Sequence, residues 1–381
     1  VSRRTLITHS LVTFASCESP AMASESQTRP SLMTSMPLSC LLGSVLRLIH
    51  VSTRRLSLFL AARRSAATLA HMWMMVRSCS IIALSTTISL PCWKSDIAFH
   101  LHANGAFTRS QDGFILRFLA SVNISGIAIS KVPSAPDLFE SSADAPLCDP
   151  SLYKSLIGSL IYTLRTRYDI QKEVVHLASK GALPTQADLA KVVLVMRYLA
   201  GSPRLGPTYY TLQGPILKCF VDCSYGTHVD GRSHYGFSLH IGDDNAPFFV
   251  SSKKQTECVA IGSMEGEYVA LSSATRKVME FRYFLDSIGF PQSAATTIYE
   301  DNMSAINLAK APAVTRRSRH IHIRHHYVRD CVAQDFVVIE YLSTDRMLAD
   351  LYTKPFGPKK FVAFRNQLFN SSHLPPVIST M

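Results

Sequence analysis

The chain lacks the cysteine pattern of a disulfide-held or zinc-binding protein. Its 381 residues include nine cysteines, an odd number, and no two of them form a CxxC pair. Scattered cysteines of this kind are typical of a reducing compartment. Because no signal peptide is convincing, we expect a cytoplasmic location. Cys219 and Cys223 lie in or beside one apolar strand, and we predict core positions for both rather than metal ligation.

Acidic residues are scarce at the start of the chain, and a long hydrophobic run is missing there too. Residues 1–110 contain eleven Lys or Arg but only three acids. Paired arginines at 54–55 and 63–64 interrupt the longest apolar stretches, so none supplies the ~20 apolar residues of a membrane span, and no membrane partner is expected. An organellar targeting peptide is one interpretation of this bias. The length of the stretch favours the other, an unassigned segment that is disordered or of non-native coding origin.

The overall charge is strongly positive. The formal net charge is +12 and the isoelectric point is about 9.3. A surplus of this size suits a polyanionic partner such as nucleic acid. Charge alone does not select a reaction, because the chemistry of a site depends on which residues lie where.

Regular patterning begins after about residue 111. Residues 186–199 carry apolar side chains at the spacing of a buried-face helix of about four turns. Glycines and prolines between 201 and 207 then mark a linker. We predict one segment over 111–207 and a separate domain over 215–372.

The domain over 215–372 is predicted to be α/β. Apolar or alternating stretches at 216–222, 235–241 and 248–250 indicate three antiparallel strands, and residues 264–288 indicate a helix with one apolar stripe. A strand ending at Asp301, a short helix, a strand over 336–342 and a final helix follow. The predicted order is βββαβαβα.

Four carboxylates of this domain, Asp222, Glu267, Asp301 and Asp350, are predicted to point at one place. Asp222 and Asp301 end strands, Glu267 lies near the start of the long helix, and Asp350 lies near the start of the final helix. Gathered acids repel one another unless a cation neutralises them, and their hard oxygen atoms suit magnesium or manganese. The pattern therefore predicts a metal-dependent phosphoryl-transfer site. Glu265 points about 200° away from Glu267 around the helix, so we expect it behind the site or facing solvent.

Five sequence blocks occur in a fixed order in this domain. They are SSKKQ (251–255), EGEYVAL (265–271), DNMSAI (301–306), RHIHIRHH (319–326) and ADLYTKP (349–355). At these blocks the sequence resembles the ribonuclease H domain at the C-terminal end of copia-type retrotransposon polyproteins. The resemblance implies a ribonuclease H-like fold with a mixed five-stranded sheet.

The segment before this domain resembles another part of the same polyproteins, the connection that follows the reverse transcriptase. The resemblance is carried by GSLIY (158–162), TRYDI (166–170) and RYLAG (197–201). The YVDD-type strand pair that would hold the polymerase metals does not occur upstream. We therefore assign residues 111–207 to a remnant of the reverse transcriptase connection region and expect no polymerase activity.

The resemblance also implies a reaction. Asp222, Glu267, Asp301 and Asp350 would be the catalytic residues and would hold two Mg²⁺ or Mn²⁺ ions ~4 Å apart. The substrate would be the RNA strand of an RNA–DNA hybrid, and the rest of a reverse transcriptase polyprotein is a further expected partner. Basic side chains are expected to neutralise backbone phosphates. They are Lys253, Lys254, Arg316, Arg317, Arg319 and Arg324.

Departures from the family pattern leave a second function open. The sequence DCSYG (222–226) keeps the first acid of the family's DADWAG block but loses its second Asp and its Trp. Tyr168 replaces a usual Pro, and His322 replaces a usual Asp. These changes spare the proposed metal ligands, so we expect metal binding to survive and substrate handling to weaken. The alternative is a catalytically inactive transposon remnant that at most binds nucleic acid.

A run of histidines raises a further alternative. His320, His322, His325 and His326 are spaced so that some imidazoles could share a face and bind zinc. The family resemblance places this basic run after the second helix, where phosphate contact or packing is the other interpretation.

Overall fold

The computed structural model of the protein describes residues 96–102, 104–123, 128–140, 144–210, 215–242, 245–256, 259–311 and 326–370. Most of the unassigned segment, residues 1–95, lies outside these ranges. The described end of that segment forms an antiparallel hairpin of strands β1, Ala98–Leu101, and β2, Phe107–Ser110.

The middle of the chain is mainly helical. Its elements are α1 (Asp112–Ser121), α2 (Pro150–Thr163), α3 (Gln171–Ala178), α4 (Gln186–Ala200) and the short strand β3 (Thr208–Tyr209), which pairs with β2.

Local sequence fixes where two of these helices begin. The Asp149 carboxylate accepts hydrogen bonds from two backbone N–H groups at the start of α2, and Pro150 occupies the first helical position. Thr185 and Asp188 form a capping box at the start of α4. The helix predicted over 186–199 is therefore confirmed to within one residue.

The rest of the chain builds a mixed five-stranded sheet. Its strands are β4 (Leu217–Ser224), β5 (His234–Ile241), β6 (Phe249–Lys254), β7 (Thr296–Glu300) and β8 (Val337–Tyr341). The spatial order is β6-β5-β4-β7-β8, with β4 to β6 antiparallel and with β7 and β8 parallel to β4. Parallel pairing brings the C-terminal ends of β4 and β7 to the same edge of the sheet. The predicted ribonuclease H-like sheet is confirmed.

Helices cover one face of this sheet with an apolar core. Cys219, Val221 and Cys223 alternate along β4 toward this face, where they pack against Leu271 and Ala274. Both cysteines are buried and free, so their predicted core positions are confirmed. The helices of this layer are α5 (Ser263–Ser287), α6 (Met303–Lys310) and α7 (Tyr327–Ala333).

Helices from the middle of the chain and the last helix, α8 (Pro358–Phe369), cover the opposite face. The rings of Phe220 and Tyr299 stack on this side with centroids 5.0 Å apart. Buried side chains such as Val195 of α4 and Leu368 of α8 join the same core. The segments predicted as 111–207 and 215–372 thus share one apolar core on this face. None of the helices within the described residues combines the length and apolar character that crossing a membrane requires.

A buried ion pair anchors α4 in this layer. Arg167 donates to both carboxylate oxygens of Asp169, at 3.0 Å from Nε and 2.8 Å from Nη2, and neither side chain is exposed. The Tyr198 hydroxyl donates to the same carboxylate. Arg167 also donates to the backbone oxygen of Ser202 at 2.7 Å. Residues of the TRYDI and RYLAG blocks of the sequence therefore contact one another around this ion pair.

The predicted elements appear in the predicted order, with one further helix, α7, between α6 and β8. One detail needs correction. Asp350 lies in a short 3₁₀ helix, Leu348–Tyr352, and not in the final α-helix. The residue before a proline disfavours helical backbone, so the chain turns at Lys354-Pro355, and helix α8 begins at Pro358.

The substitution Asp169→Asn should destabilise the protein strongly. It leaves the Arg167 guanidinium buried without a counter-charge, which costs about 3–5 kcal/mol in comparable pairs. Urea unfolding gives the free energy directly. Asp286→Asn, at an exposed position on α5, is the matched control and should change stability by less than about 0.5 kcal/mol. Equal effects of the two substitutions would contradict the role assigned to this ion pair.

Candidate metal centre

Asp222 lies near the C-terminal end of β4, in a row of residues that crosses three strands. It pairs with Gly236 of β5, which in turn pairs with Ser252 of β6. The Asp222 side chain is fully buried. One carboxylate oxygen accepts a hydrogen bond from the Thr353 hydroxyl, and the other accepts one from Lys354 Nζ at 3.0 Å.

Glu267 and Asp301 approach Asp222 from two other elements. Glu267 lies near the start of α5 and is buried, whereas Asp301 directly follows β7 and is half-buried. One ligand oxygen from each of the three residues lies within 4.8 Å of the other two. The structure thus brings together three of the four predicted carboxylates. Thr344 donates to Asp301 Oδ2 at 2.8 Å and orients this carboxylate.

The turn that carries Asp350 is attached to the same row of the sheet. Ser252 Oγ donates to the backbone oxygen of Tyr352 at 2.8 Å. A Cβ atom at Gly236 would lie 2.4 Å from Cβ of Tyr352, so only glycine allows the turn to approach this closely. The turn can therefore place Asp350 beside Asp222.

A lysine links the fourth carboxylate to the first. Lys354 Nζ donates to Asp350 Oδ1 at 2.7 Å and to Asp222 Oδ1 at 3.0 Å. Both carboxylates have fully buried side chains, while the lysine side chain is 33% exposed. Thr353 and Lys354 belong to the ADLYTKP block, but no role for them follows from the sequence pattern alone.

Glu300 is a fifth acid at the site, and sequence reasoning missed it. It is the last residue of β7, fully buried, and its side chain alternates with Tyr299 to the face that carries Ile298. One carboxylate oxygen accepts from the backbone N–H of Asn302 at 3.1 Å. Two adjacent acids, Glu300 and Asp301, stand at the end of this strand. Because side chains alternate between the two faces of a sheet, one of two such neighbours is expected to point into the core.

Burial and mutual repulsion raise the pKa of several of these groups. The pKa of Glu267 lies well above its usual range because of burial and the charges of Glu300 and Asp222. Burial also raises the pKa of Glu300 well above its usual range, with Asp222 and Asp301 adding to the effect. Burial and the Asp222 charge raise the pKa of Asp350 to about 7. Each shift shows that the site disfavours simultaneous ionisation of all its carboxylates.

The donor set fits a hard divalent cation. Within the described part of the chain, three buried carboxylate oxygens of this site, Glu267 Oε2, Glu300 Oε2 and Asp350 Oδ2, have no hydrogen-bond partner. Buried acceptors of this kind destabilise the folded state unless a hydrogen-bond donor or a cation contacts them. All the groups offer oxygen, the ligand that magnesium and manganese prefer. Asp222, Glu267, Asp301 and Asp350 are thus suitable ligands on chemical grounds.

Of the two environments predicted for Glu265, the solvent-facing one is wrong. The residue is buried, and its carboxylate accepts from the backbone N–H of Ile261 at 2.7 Å. Helical geometry turns it away from Glu267 as expected. The loop before α5 folds over that side of the helix, which the helical period cannot show.

The predicted phosphate-binding residues divide into two groups. Lys253 is exposed at the end of β6, and Lys254 is half-buried with Nζ 2.6 Å from Asp230 Oδ2. Four arginines lie outside the described residues. They are Arg316, Arg317, Arg319 and Arg324.

The histidine run is described only at its end. His320, His322 and His325 lie outside the described residues. His326 Nδ1 lies 3.1 Å from the Tyr268 hydroxyl, and the two rings pack together. This is a packing contact, and packing is one of the alternatives to zinc binding that the sequence indicates for the run.

Sequence relatives of the chain include transposon polyproteins. It is 30% identical over 269 residues to the retrovirus-related Pol polyprotein from transposon RE1 of Arabidopsis thaliana, a match that covers 70% of this chain and 18% of that protein. The chain is related to copia-type Pol polyproteins. A second Pol polyprotein, from transposon RE2 of the same plant, is 30% identical over 260 residues, which cover 68% of this chain and 17% of the relative.

These matches confirm the resemblance drawn from the five sequence blocks. The chain spans less than a fifth of the length of either Pol polyprotein. No protein-family model matches the chain.

Among solved structures, LC11-RNase H1 in complex with an RNA/DNA hybrid aligns at 12% identity. The alignment covers 36% of this chain and 93% of that protein, with a TM-score of 0.28. The fold assignment rests on the strand order and pairing of the sheet and not on this overlap.

Replacing Gly236 by Ala should loosen the site. The added methyl would collide with Tyr352 and push the Asp350 turn away from Asp222. Overpacking of this kind costs about 1–3 kcal/mol, which urea unfolding would measure. Gly158→Ala in α2, where a Cβ meets nothing within 4 Å, should leave stability unchanged or raise it. An unaltered unfolding free energy in Gly236→Ala would contradict the close approach of the turn.

Without divalent ions, the contribution of Asp350 to the stability of the protein should be lost as pH rises from about 4 through about 7. The folded protein holds a proton on Asp350 with a pKa of about 7, against an ordinary value of 3.8. The stabilisation that comes from this proton is fully present below the ordinary pKa and is lost as the pH rises through the raised pKa.

Asp350→Asn should therefore remove this loss, so that its unfolding free energy, measured in a chelating buffer, falls less or rises more between about pH 4 and about pH 7 than that of the wild type. Asp345→Asn, at an exposed neighbouring position, should retain the wild-type slope. A slope in Asp350→Asn equal to that of the wild type would show that Asp350 titrates normally.

Proposed function

We propose that the chain is a ribonuclease H-type nuclease that hydrolyses the RNA strand of RNA–DNA hybrids with two Mg²⁺ or Mn²⁺ ions. The observation that supports this proposal is the convergence of Asp222, Glu267 and Asp301, whose ligand oxygens lie within 4.8 Å of one another. Acids gathered this closely in a protein interior serve a cation more readily than they serve stability. The relation to Pol polyproteins supports the choice of substrate class.

Four carboxylates would hold the ions, Asp222 and Asp350 on one side and Glu267 and Asp301 on the other. When bound, divalent ions supply an activated water and neutralise charge on the departing oxygen. Asp222 fits a central position, because its side chain is fully buried and one of its oxygens is held by the Thr353 hydroxyl. A ligand fixed in this way needs little reorganisation when it binds a cation.

Neighbouring groups orient the ligands. Thr353 donates to Asp222, and Thr344 donates to Asp301. The buried position of Asp222, Glu267 and Asp350 removes competing water from the carboxylates. Lys253, exposed on β6, is available to a phosphate of the substrate backbone.

The wider context belongs to the same proposal. We place residues 111–207 as a remnant of the reverse transcriptase connection and residues 215–372 as the ribonuclease H domain, in a cytoplasmic protein without polymerase activity. The rest of a reverse transcriptase polyprotein would be its partner.

A catalytically inactive chain that only binds nucleic acid is the second candidate. One observation favours it. The ammonium group of Lys354 contacts both Asp222 and Asp350, where an ion would otherwise bind. Hybrid binding without cleavage would identify this candidate.

The deciding experiment uses the full chain and an RNA–DNA hybrid labelled on the RNA strand, in the presence of Mg²⁺. Wild-type protein should cut the RNA strand, and Asp301→Asn should lower the rate by at least about a hundredfold, because one metal ligand is lost. Asp286→Asn should keep the wild-type rate.

Single-stranded RNA and duplex DNA serve as substrate controls and should remain uncut. A folded wild-type protein that leaves the hybrid intact would contradict the proposed function. Equal rates for wild type and Asp301→Asn would assign the cleavage to a contaminant or to another site.

A further inference from the structure

Lys354 is held at three points around the acidic site. Its backbone N–H donates to the backbone carbonyl oxygen of Asp350 at 2.9 Å. Its own backbone carbonyl accepts a hydrogen bond from Lys172 Nζ at 2.6 Å. Its ammonium group contacts Asp222 and Asp350. Lys172 belongs to α3 and is itself buried. A helix of the middle segment therefore fixes the backbone from which the lysine reaches the carboxylates.

The ammonium and a bridging divalent ion would need the same place. Nζ lies 3.0 and 2.7 Å from Oδ1 of Asp222 and Asp350. A magnesium ion shared by the same two atoms would lie about 2.1 Å from each of them. Two cations at such positions would be within contact distance of one another and would repel strongly at the low dielectric of a buried site.

The lysine side chain can leave this place, whereas the carboxylates cannot. It is 33% exposed, and both carboxylate side chains are fully buried. A long flexible stem with an exposed portion allows the ammonium group to move into solvent while the backbone stays attached to α3. Within the described residues this lysine donates no hydrogen bond to Glu267 or Asp301, so its ammonium group leaves their side of the site open to a cation.

We propose that Lys354 is a positioning residue that competes with one divalent ion for Asp222 and Asp350, so that the two ions bind with unequal affinity. The inference rests on the proposed function in that the carboxylates bind metal. In the absence of that ion the ammonium group holds Asp222 and Asp350 together and limits their repulsion. Binding of the second ion requires the ammonium group to move away.

The test is a Mn²⁺ titration of the full chain without nucleic acid, followed by electron paramagnetic resonance of free Mn²⁺. Wild-type protein should bind one ion more tightly than the second. Lys354→Met should bind the second ion about tenfold more tightly or better, because a competing charge about 3 Å from the ligands is gone. Lys359→Met removes the same charge at an exposed position of α8 and should bind both ions as the wild type does.

Unchanged or weaker second-ion binding in folded Lys354→Met would overturn the inference, as would the absence of Mn²⁺ binding by both proteins. Circular dichroism establishes whether the variant is folded. If it is not, crystals of wild-type protein grown with Mn²⁺ decide. An ion on both Asp222 and Asp350 with Nζ displaced supports the inference, and any other arrangement, including an ion beside an unmoved Nζ, overturns it.

These outcomes are separate from those of the cleavage experiment. A wild-type protein that cuts no hybrid but shows the difference between Lys354→Met and Lys359→Met contradicts the nuclease and supports the competition. Cleavage without that difference supports the nuclease and contradicts the competition.

Discussion

The repulsion among carboxylates buried at one edge of the sheet is the constraint on which the rest of this structure depends. Asp222, Glu267, Glu300 and Asp350 are all buried, and in the described structure one ammonium group, that of Lys354, contacts two of them. Packing alone does not favour such an arrangement, because each buried charge must be protonated, paired or bound to a metal. Burial raises the pKa values of Glu267, Glu300 and Asp350, and the repulsion among the carboxylates adds to each shift.

The fold maintains this arrangement through contacts that extend well beyond the five strands. Parallel pairing of β4 with β7 brings Asp222 and Asp301 to one edge, and the long helix α5 supplies Glu267. Gly236 admits the turn that carries Asp350, and Lys172 of α3 attaches to the end of that turn. The middle helices share a core with α8 and the sheet. Removal of that layer would therefore affect the carboxylates as well as stability.

Much of this architecture follows from sequence pattern, and the remainder depends on tertiary contact. Alternation along β4 and the apolar stripe of α5 predict which faces are buried. The approach of Asp222, Glu267 and Asp301 could be anticipated from their positions at two strand ends and near a helix start. Glu300 could not be separated from Asp301, because pattern does not show which of two adjacent acids points inward. The bridging contact of Lys354 likewise depends on a turn that Pro355 imposes, whose position over Gly236 only the folded structure shows.

The most direct test of the account is the melting temperature of the full chain at pH 8 as Mn²⁺ concentration is raised. Binding to the folded state alone must raise stability with ligand concentration, so the melting temperature of the wild type should rise steadily. Glu267→Gln removes one buried ionisable group and should melt at an equal or higher temperature without metal, while its response to Mn²⁺ becomes much weaker. A wild-type melting temperature independent of Mn²⁺, or an equal rise in both proteins, would contradict a metal centre at these carboxylates.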